Sequence, residues 1–217
     1  MIDSMTARRT MVDCQIRPSD VTDRELLAAF LAIPRERFVP VDLASVAYLD
    51  RDLPIDSKRA LLKPMVLARL IQAAEVTTSD RVLDVAGGTG YASAILARLA
   101  AAVTALEDDA DRARRCGDIL AQAGAGKVAA VCGPLDAGWP AGAPYDVILV
   151  NGACETEPQG LLHQLNEGGR LVAVMGTGPD GRARLFRRDR GEIGSRTLFD
   201  AAAPALPAFA KAPAFVF

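Results

Sequence analysis

The sequence predicts an α/β fold in which helices cover both faces of a mostly parallel sheet. From Asp80 onward, short apolar runs alternate with helix-like segments, which is typical of such a sheet. The runs 82–85 and 147–150 are apolar enough to be buried on both faces, as parallel strands are. A glycine-rich turn, 86–90, joins the first run directly to a helical pattern. Half of the 217 residues are hydrophobic, so the chain can form a full core.

The part of the chain before this alternation is predicted to be a helical segment that packs on the sheet domain. We place the segment at residues 1–75 and the sheet domain at residues 76–217. Thr22 and Glu25 have the spacing of a capping box, and Pro34 ends the helix that they would begin. The other elements predicted here are a short helix, a polar loop and a helix with proline in its first turn, at 42–48, at 50–59 and from Pro64.

Strands and helices alternate within the predicted sheet domain. The strands are 81–85, 103–107, 128–132, 146–150 and 170–175, and the helices are 91–100, 109–123 and 157–166. Gly168 and Gly169 are placed to end the last helix. The pattern then changes, and 184–187 with 195–199 predict a terminal antiparallel pair. Arginines cluster in this pair, which favours an exposed hairpin face over a phosphate-binding patch; they are Arg182, Arg184, Arg187, Arg188 and Arg190.

The glycine turn predicts a nucleotide-like ligand at the carboxyl edge of the sheet. Glycines let the backbone approach a ligand closely, and the helix that follows offers unpaired N–H groups. The dinucleotide pattern G-x-G-x-x-G would need a glycine at Ser93, and no hydride-site His or Tyr–Lys pair is obvious, so a nicotinamide dehydrogenase is disfavoured. The spacing from Asp84 through the turn is closer to the pattern for S-adenosyl-L-methionine (SAM).

An acidic residue at the end of the next predicted strand supports this interpretation of the turn. Glu107 follows Asp84 by 23 residues, the separation at which an acid accepts hydrogen bonds from a ribose. The alternative is an ordinary strand-to-helix turn with a surface glutamate.

Charge and composition exclude several other classes of function. The net charge of −2 gives no indication of a general nucleic-acid or membrane binder. Cys14, Cys116, Cys132 and Cys154 form no C-x-x-C pair, and with the single His163 they cannot make a standard zinc site. We therefore expect no metal and interpret the cysteines as buried free thiols of a reducing cytosol. The first ten residues lack an apolar stretch, so no secretory signal is expected and a cytoplasmic location is predicted.

Several sequence blocks match one enzyme family. The most distinctive are Arg37-Phe38-Val39-Pro40 and Gly138-Trp139-Pro140, and the others are Ala47-Tyr48, Leu53-Pro54-Ile55, Val82-Leu83-Asp84, Gly88-x-Gly90-Tyr91, Ala143-Pro144-Tyr145-Asp146 and Gly168-Gly169-Arg170-Leu171-Val172. With these blocks, most of the chain resembles the protein-L-isoaspartate O-methyltransferase family. Members of that family repair isomerised aspartyl residues by methylating their free carboxylate. The resemblance implies a Rossmann-like SAM-dependent methyltransferase fold, SAM as the cofactor, and a protein or peptide partner that presents a carboxylate.

The predicted cofactor contacts surround the glycine turn. We expect the 86–90 backbone and Asp84 to hold the amino-acid part of SAM, unless Asp84 only stabilises the turn, and Glu107 to bridge the ribose hydroxyls. Asn151-Gly152-Ala153, after the 146–150 strand, is predicted to line the acceptor side, the alternative being a loop in which Asn151 caps its own turn. The full predicted set is Asp84, Ala86, Gly87, Gly88, Gly90, Glu107, Asp108, Gly133, Pro134 and Asn151.

Three positions depart from the family pattern. The family loop G-x-G-Q-T-I-S-x-P, whose serine is its recognised active-site residue, aligns with residues 56–64, so Leu62 stands in place of that serine. Ala86 replaces the first glycine of the turn, and Pro134 stands where an aspartate usually follows Gly133.

The first departure concerns the methyl acceptor and implies weak isoaspartyl activity. The alternatives are a non-catalytic SAM-binding homologue and a methyltransferase for a different acceptor. Leu62 itself is not expected to be catalytic. Its side chain is predicted either to line the acceptor pocket or, equally, to pack as core beneath the loop.

Overall fold

Residues 3–212, which the computed structural model describes, begin with a helical segment followed by a small hairpin. The helices are α1 (Ser4–Met11) and α2 (Arg24–Ala32), with 3₁₀ turns at Arg35–Phe38 and Val41–Val46. The hairpin pairs β1 (Leu53–Pro54) with β2 (Ala60–Leu61) and leads into α3 (Pro64–Ala73). The helix at Pro64 is thus confirmed, the short helix predicted at 42–48 is a 3₁₀ turn, and the predicted loop contains one short strand.

The start of α2 differs by one residue from the prediction. Asp23 is the N-cap, because its Oδ1 accepts a hydrogen bond from the Leu26 amide at 3.1 Å. The Thr22 amide instead donates to Oε1 of Gln72 in α3 at 2.7 Å. The predicted Thr22–Glu25 capping box is therefore wrong, since a tertiary contact to α3 holds Thr22 outside the helix.

A seven-stranded sheet forms the centre of the described residues. Its strands are β3 (Arg81–Val85), β4 (Ala102–Glu107), β5 (Ala129–Cys132), β6 (Tyr145–Cys154), β7 (Leu165–Met175), β8 (Arg182–Asp189) and β9 (Glu192–Asp200). Their order is β5-β4-β3-β6-β7-β8-β9, with parallel pairing from β5 to β7 and antiparallel pairing from β7 to β9. The predicted α/β sheet with a C-terminal antiparallel pair is confirmed.

The helices of the sheet domain are α4 (Tyr91–Leu96), α5 (Ala110–Gln122) and α6 (Gln159–Leu162). The first is shorter than predicted, because the chain must turn before it enters β4. A hydrogen bond from the Ala101 amide to the Asp80 carbonyl, at 3.0 Å, holds that turn.

The last of these helices is also shorter than predicted, and it does not end at glycine. Gly168 and Gly169 lie within β7, so their predicted role as a helix end is wrong. The Tyr145 amide donates to the Gln164 carbonyl at 2.8 Å, which draws this segment into the sheet instead.

Apolar clusters on the two faces of the sheet form the core of the described residues. In β3, Val82 belongs to one cluster, whereas Leu83 and Val85 belong to the other, so this strand is buried on both faces as predicted. The first cluster also contains residues of α2, α3 and α4, and the N-terminal segment therefore packs directly on the sheet. The division of the chain at residue 75 stays a prediction.

The cysteines differ in exposure. Cys116 and Cys154 are buried free thiols, as predicted, but Cys14 and Cys132 are exposed. Cys132 ends the edge strand β5, and Cys14 lies on the exposed face of the helical turn after α1. Within residues 3–212, no group of three or more His, Cys, Asp or Glu side chains is placed to hold a metal ion.

The described helices include none that is long and apolar enough to cross a membrane. The absence of a secretory signal was predicted from residues 1–10, and the first two of these lie outside the described residues.

Several arginines of the C-terminal hairpin pair with carboxylates. The N–O distances are 3.0 Å for Arg182–Asp200, 3.8 Å for Arg184–Glu157 and 3.8 Å for Arg188–Glu167. These contacts support an exposed hairpin face with paired charges. Ion pairs of this kind contribute little to stability, about 0–1 kcal/mol each.

Candidate active site

The glycine turn connects β3 to α4 at the edge of the sheet where the parallel strands end. Its backbone is left-handed, with φ of 60° at Ala86, 66° at Gly88 and 89° at Gly90. A Cβ on Gly90 would lie 2.9 Å from Sγ of Cys116 and from Cγ of Leu120, so packing against α5 requires glycine there. Ala86 keeps the left-handed conformation at a cost of about 1–2 kcal/mol. Ala86 therefore adopts a conformation that glycine tolerates best, and its correspondence with the first glycine of the family pattern stays a prediction.

Asp84 is fully buried beside the turn, and both of its oxygens accept hydrogen bonds from side chains. The Ser93 hydroxyl donates to Oδ2, while Nδ2 of Asn151 donates to Oδ1 and, at 3.1 Å, to the Val85 carbonyl. Burial raises the pKa of Asp84 to about 6, although the hydrogen bonds from Ser93 and Asn151 lower it. A Cβ on Gly87 would lie 2.8 Å from Oδ2. These contacts support a turn-stabilising role for Asp84, and its direct contact with a cofactor stays a prediction.

Glu107 ends β4 and lies against the turn. Its Oε1 accepts a hydrogen bond from the Gly88 amide at 2.6 Å, and the residue is 1% exposed. Burial raises the pKa of Glu107 to about 7, whereas Arg59, the Gly88 amide and Arg112 lower it. The structure thus brings a carboxylate and a backbone amide together at the carboxyl edge of the sheet, where a ribose binds in folds of this type.

Arg59 is a residue of this site that the sequence did not reveal. Its Nε donates to Oε2 of Glu107 at 2.9 Å, and its Nη2 donates to Oδ1 of Asp108 at 2.7 Å. The side chain is 1% exposed. Arg112 completes the group, since its Nη1 donates to the same oxygen of Asp108 at 2.6 Å. The partners of Arg59 are 48 and 49 positions away along the chain, so no local pattern indicated the contact.

A tight turn presents Arg59 to the site. Oδ1 of Asp56 accepts hydrogen bonds from the amides of Lys58 at 2.7 Å and Arg59 at 2.9 Å. Oδ2 of Asp56 accepts from Nε of Arg112 at 3.0 Å, which ties the loop to α5. A cavity of about 380 Å³ lies between this loop and the C-terminal segment that contains Pro204.

The ends of β4 and β5 meet beside Glu107. The Gly133 amide donates to the Glu107 carbonyl at 2.9 Å, and a Cβ on Gly133 would lie 3.5 Å from the Trp139 ring. Pro134 follows and is exposed, and the side chain of Asp108 is 35% exposed. Asp108, Gly133 and Pro134 thus lie at the same edge as the glycine turn, while their contacts with a cofactor stay predictions.

Asn151–Ala153 continues β6, so the predicted end of this strand at residue 150 is wrong, and so is the alternative of a plain loop. All three residues are buried. The Ala153 amide donates to the Pro204 carbonyl at 2.8 Å, and a Cβ on Gly152 would lie 2.5 Å from Cγ of Leu206. The C-terminal segment therefore covers this end of the strand and pairs with it through a parallel bridge between Ala153 and Ala205. Asn151 bonds to β3 and does not cap a turn of its own; its place on the acceptor side stays a prediction.

Leu62 follows β2 and is buried among apolar residues. It is 1% exposed and belongs to the cluster that joins the N-terminal segment to the sheet. Its carbonyl accepts a hydrogen bond from Nη2 of the fully buried Arg35 at 2.8 Å, and Nε of Arg35 donates to the Ala47 carbonyl at 2.8 Å. This environment supports the interpretation of Leu62 as core. The correspondence of position 62 with the family serine stays a prediction.

Comparison with known sequences shows matches over most of the chain. The family profile described as Protein-L-isoaspartate(D-aspartate) O-methyltransferase matches residues 6–202. The protein-L-isoaspartate O-methyltransferase of Methanoculleus marisnigri is 43% identical over 169 residues, which cover 78% of this chain and 77% of that protein. The enzyme of the same name from Methylorubrum extorquens is 41% identical over 196 residues, which cover 89% of this chain and 85% of that protein.

Solved structures show the same overall fold. A protein-L-isoaspartate O-methyltransferase structure has a TM-score of 0.79 at 25% identity, with 93% of this chain and 67% of that chain covered. A Plasmodium falciparum protein that carries the same family name, in complex with S-adenosyl-L-homocysteine, has a TM-score of 0.80 at 16% identity. The match covers 96% of this chain and 100% of that chain, and at this identity it shows the fold alone.

Proposed function

The chain belongs to the protein-L-isoaspartate O-methyltransferase family of SAM-dependent enzymes, and we propose that it methylates a carboxylate of a protein or peptide. The acceptor that we assign is the isoaspartyl carboxylate, which gives the curated relatives their name, with reduced efficiency. The observation that carries the proposal is the Glu107 carboxylate 2.6 Å from the Gly88 amide, at the carboxyl edge of a parallel sheet.

The residues at this edge fit the chemistry of the donor. Glu107 supplies hydrogen-bond acceptors for ribose hydroxyls, and the backbone of the 86–90 turn supplies amides where side chains are small. Asp108 and Gly133 extend the same edge and would flank the adenosine part. When SAM is bound, it supplies a methyl group on a sulfonium that is open to direct displacement.

The acceptor needs no general base on this chain. A carboxylate is already ionised at pH 7, so the protein contributes chiefly by holding the acceptor in line with the methyl group. A hydroxyl at position 62 would orient that carboxylate, and Leu62 lacks one. The loss of a hydrogen bond to a charged group costs about 1.5–3 kcal/mol. If the bond is made only in the transition state, this corresponds to a rate lower by roughly ten- to 150-fold.

A methyltransferase for a different acceptor is the second candidate. The apolar, buried Leu62 favours it, because the loop offers no hydroxyl at this position to an isoaspartyl carboxylate. Membership in an enzyme family argues against a non-catalytic homologue.

Methyl transfer from tritium-labelled SAM to a pair of synthetic peptides tests the proposed function. The peptides have the same sequence, with either isoaspartate or aspartate at one position. We expect labelling of the isoaspartyl peptide alone, at a rate roughly ten- to 150-fold below that of a family member whose loop carries the serine. Equal labelling of both peptides, or labelling of neither, would reject the isoaspartyl acceptor.

Calorimetry with S-adenosyl-L-homocysteine tests the donor site separately. Glu107→Ala should weaken binding by about 1.5 kcal/mol or more, which is roughly tenfold in affinity. The exposed Glu192 provides a matched control, since Glu192→Ala leaves the site untouched. Because Glu107→Ala also releases Arg59, the substitution is measured in an Arg59→Gln chain as well, and unchanged affinity there would remove Glu107 from the donor site.

A further inference from the structure

The guanidinium of Arg59 has no part in the methyl transfer described above, yet it contacts the acid that is assigned to the donor. Both oxygens of the Glu107 carboxylate are engaged within the protein, Oε1 by the Gly88 amide at 2.6 Å and Oε2 by Nε of Arg59 at 2.9 Å. A ribose diol donates two hydrogen bonds and would take them to this same carboxylate. A carboxylate offers about four acceptor sites, but this side chain is 2% exposed, so a diol cannot reach the remaining sites while Arg59 and its loop are in place.

The loop that carries Arg59 also fills space over the glycine turn. A Cβ on Gly88 would lie 3.5 Å from Cγ1 of Ile55 and 3.8 Å from Cβ of Arg59. These side chains, and not solvent, lie over the open side of the glycine. A ligand that approaches the Gly88 backbone must displace both of them.

The outer contacts of the loop are more accessible than its buried ion pair. The side chains of Asp56, Asp108 and Arg112 are 27%, 35% and 14% exposed, whereas those of Arg59 and Glu107 are 1% and 2% exposed. Water can therefore reach the outer ion pairs of the loop, whereas the pair between Arg59 and Glu107 is shielded from it. The carboxylate of Asp56, which holds the Lys58 and Arg59 amides, keeps Arg59 aimed at Glu107.

We propose that Arg59 is an autoinhibitory latch, which closes the donor site by pairing with Glu107 and opens when the 55–59 loop withdraws. The proposal rests on the assignment of Glu107 to the ribose of the donor. In the closed state the donor cannot reach Glu107, so the measured affinity is the affinity of the open state multiplied by the fraction of molecules that are open. A variant that cannot form the ion pair has a larger open fraction and binds the donor or its product more tightly.

Two substitutions weaken the latch from opposite ends. Arg59→Gln removes the positive charge. Glutamine is also the residue that the family loop pattern has at this position, so a side chain of this size is suited to an open site. Asp56→Ala leaves Arg59 in place but removes the carboxylate that holds its amide and that of Lys58. Arg24→Gln, at an exposed arginine on α2, serves as the matched control.

The experiment is calorimetric titration of the full chain and of each variant with S-adenosyl-L-homocysteine, accompanied by melting curves with and without this ligand. We expect Arg59→Gln to bind at least tenfold more tightly than the wild type, a difference of about 1.4 kcal/mol. Asp56→Ala should also bind more tightly, and Arg24→Gln should match the wild type. The ligand should raise the melting temperature of Arg59→Gln by more than that of the wild type.

The outcomes separate the latch from the donor site itself. If the wild type binds and Arg59→Gln binds equally or more weakly, the latch is overturned and the donor site stands. If no folded form binds the ligand, both the latch and the assigned donor site are overturned. If Arg59→Gln does not fold, Asp56→Ala decides, and an affinity equal to that of the wild type overturns the latch.

Discussion

Leu62→Ser tests whether position 62 belongs to the core or to the acceptor pocket. Leu62 is 1% exposed within an apolar cluster, so the substitution leaves a cavity and buries a hydroxyl. Truncation of a buried leucine costs about 2–5 kcal/mol, and an unpaired buried hydroxyl adds about 1–3 kcal/mol. Together the two terms give a loss of roughly 3–8 kcal/mol, which lowers the melting temperature of a chain of this size by about 6–32 °C.

Two measurements on the same protein preparation check this prediction. Melting curves should show the loss of stability, and the tritium-methyl assay should show no gain in transfer to an isoaspartyl peptide. Leu49→Ser is the matched control, because Leu49 is 50% exposed and its replacement should shift the melting temperature by no more than about 2 °C.

The opposite pair of results would refute the core interpretation. If Leu62→Ser has the melting temperature of the wild type and its rate of methyl transfer rises by up to about a hundredfold, the side chain at position 62 lines the acceptor pocket. If the wild type itself repairs isoaspartyl peptides as fast as serine-containing relatives, both interpretations fail, and the serine is dispensable on this scaffold.

Two further predictions concern the glycine turn and the acid beside it. Gly90→Ala should lower the melting temperature more than Gly124→Ala, since both backbones are left-handed but only Gly90 has neighbours within 4 Å of the new Cβ. Overpacking at Gly90 adds a destabilisation of about 1–3 kcal/mol. Equal melting temperatures of the two variants would contradict this prediction. The pKa of Glu107 is about 7 in the folded protein and 4.5 ordinarily. Between these two pH values the folded state therefore binds more protons than the unfolded state. The contribution of Glu107 to stability is consequently lost as the pH rises from about 4.5 to about 7. Melting temperatures measured across this pH range should fall less for Glu107→Gln than for the wild type. If the two melting temperatures change in parallel with pH, Glu107 stays ionised throughout.

Local signals in the sequence were enough to predict the sheet and the glycine turn at its carboxyl edge. The run 81–85 and the turn 86–90 are defined by apolar periodicity and glycine placement, which depend on neighbouring residues, and both lie where they were predicted. Glu107 is at the end of β4 because one helix and one strand fill the 23 residues after Asp84. The element ends were less predictable: Gly168 lies in β7 and not at a helix end, because hydrogen bonds from other strands decide how far a strand extends.

The sequence by itself determined the α/β alternation, the glycine turn and the acid at the end of β4, because each is encoded by residues that are close along the chain. Only the tertiary structure decided which charged and polar groups meet there. Arg59 and Glu107 are 48 positions apart, and Asn151 and Asp84 are 67 apart. Their contacts depend on strand order and on the path of a loop, which no local pattern specifies, and burial in a low dielectric then strengthens them.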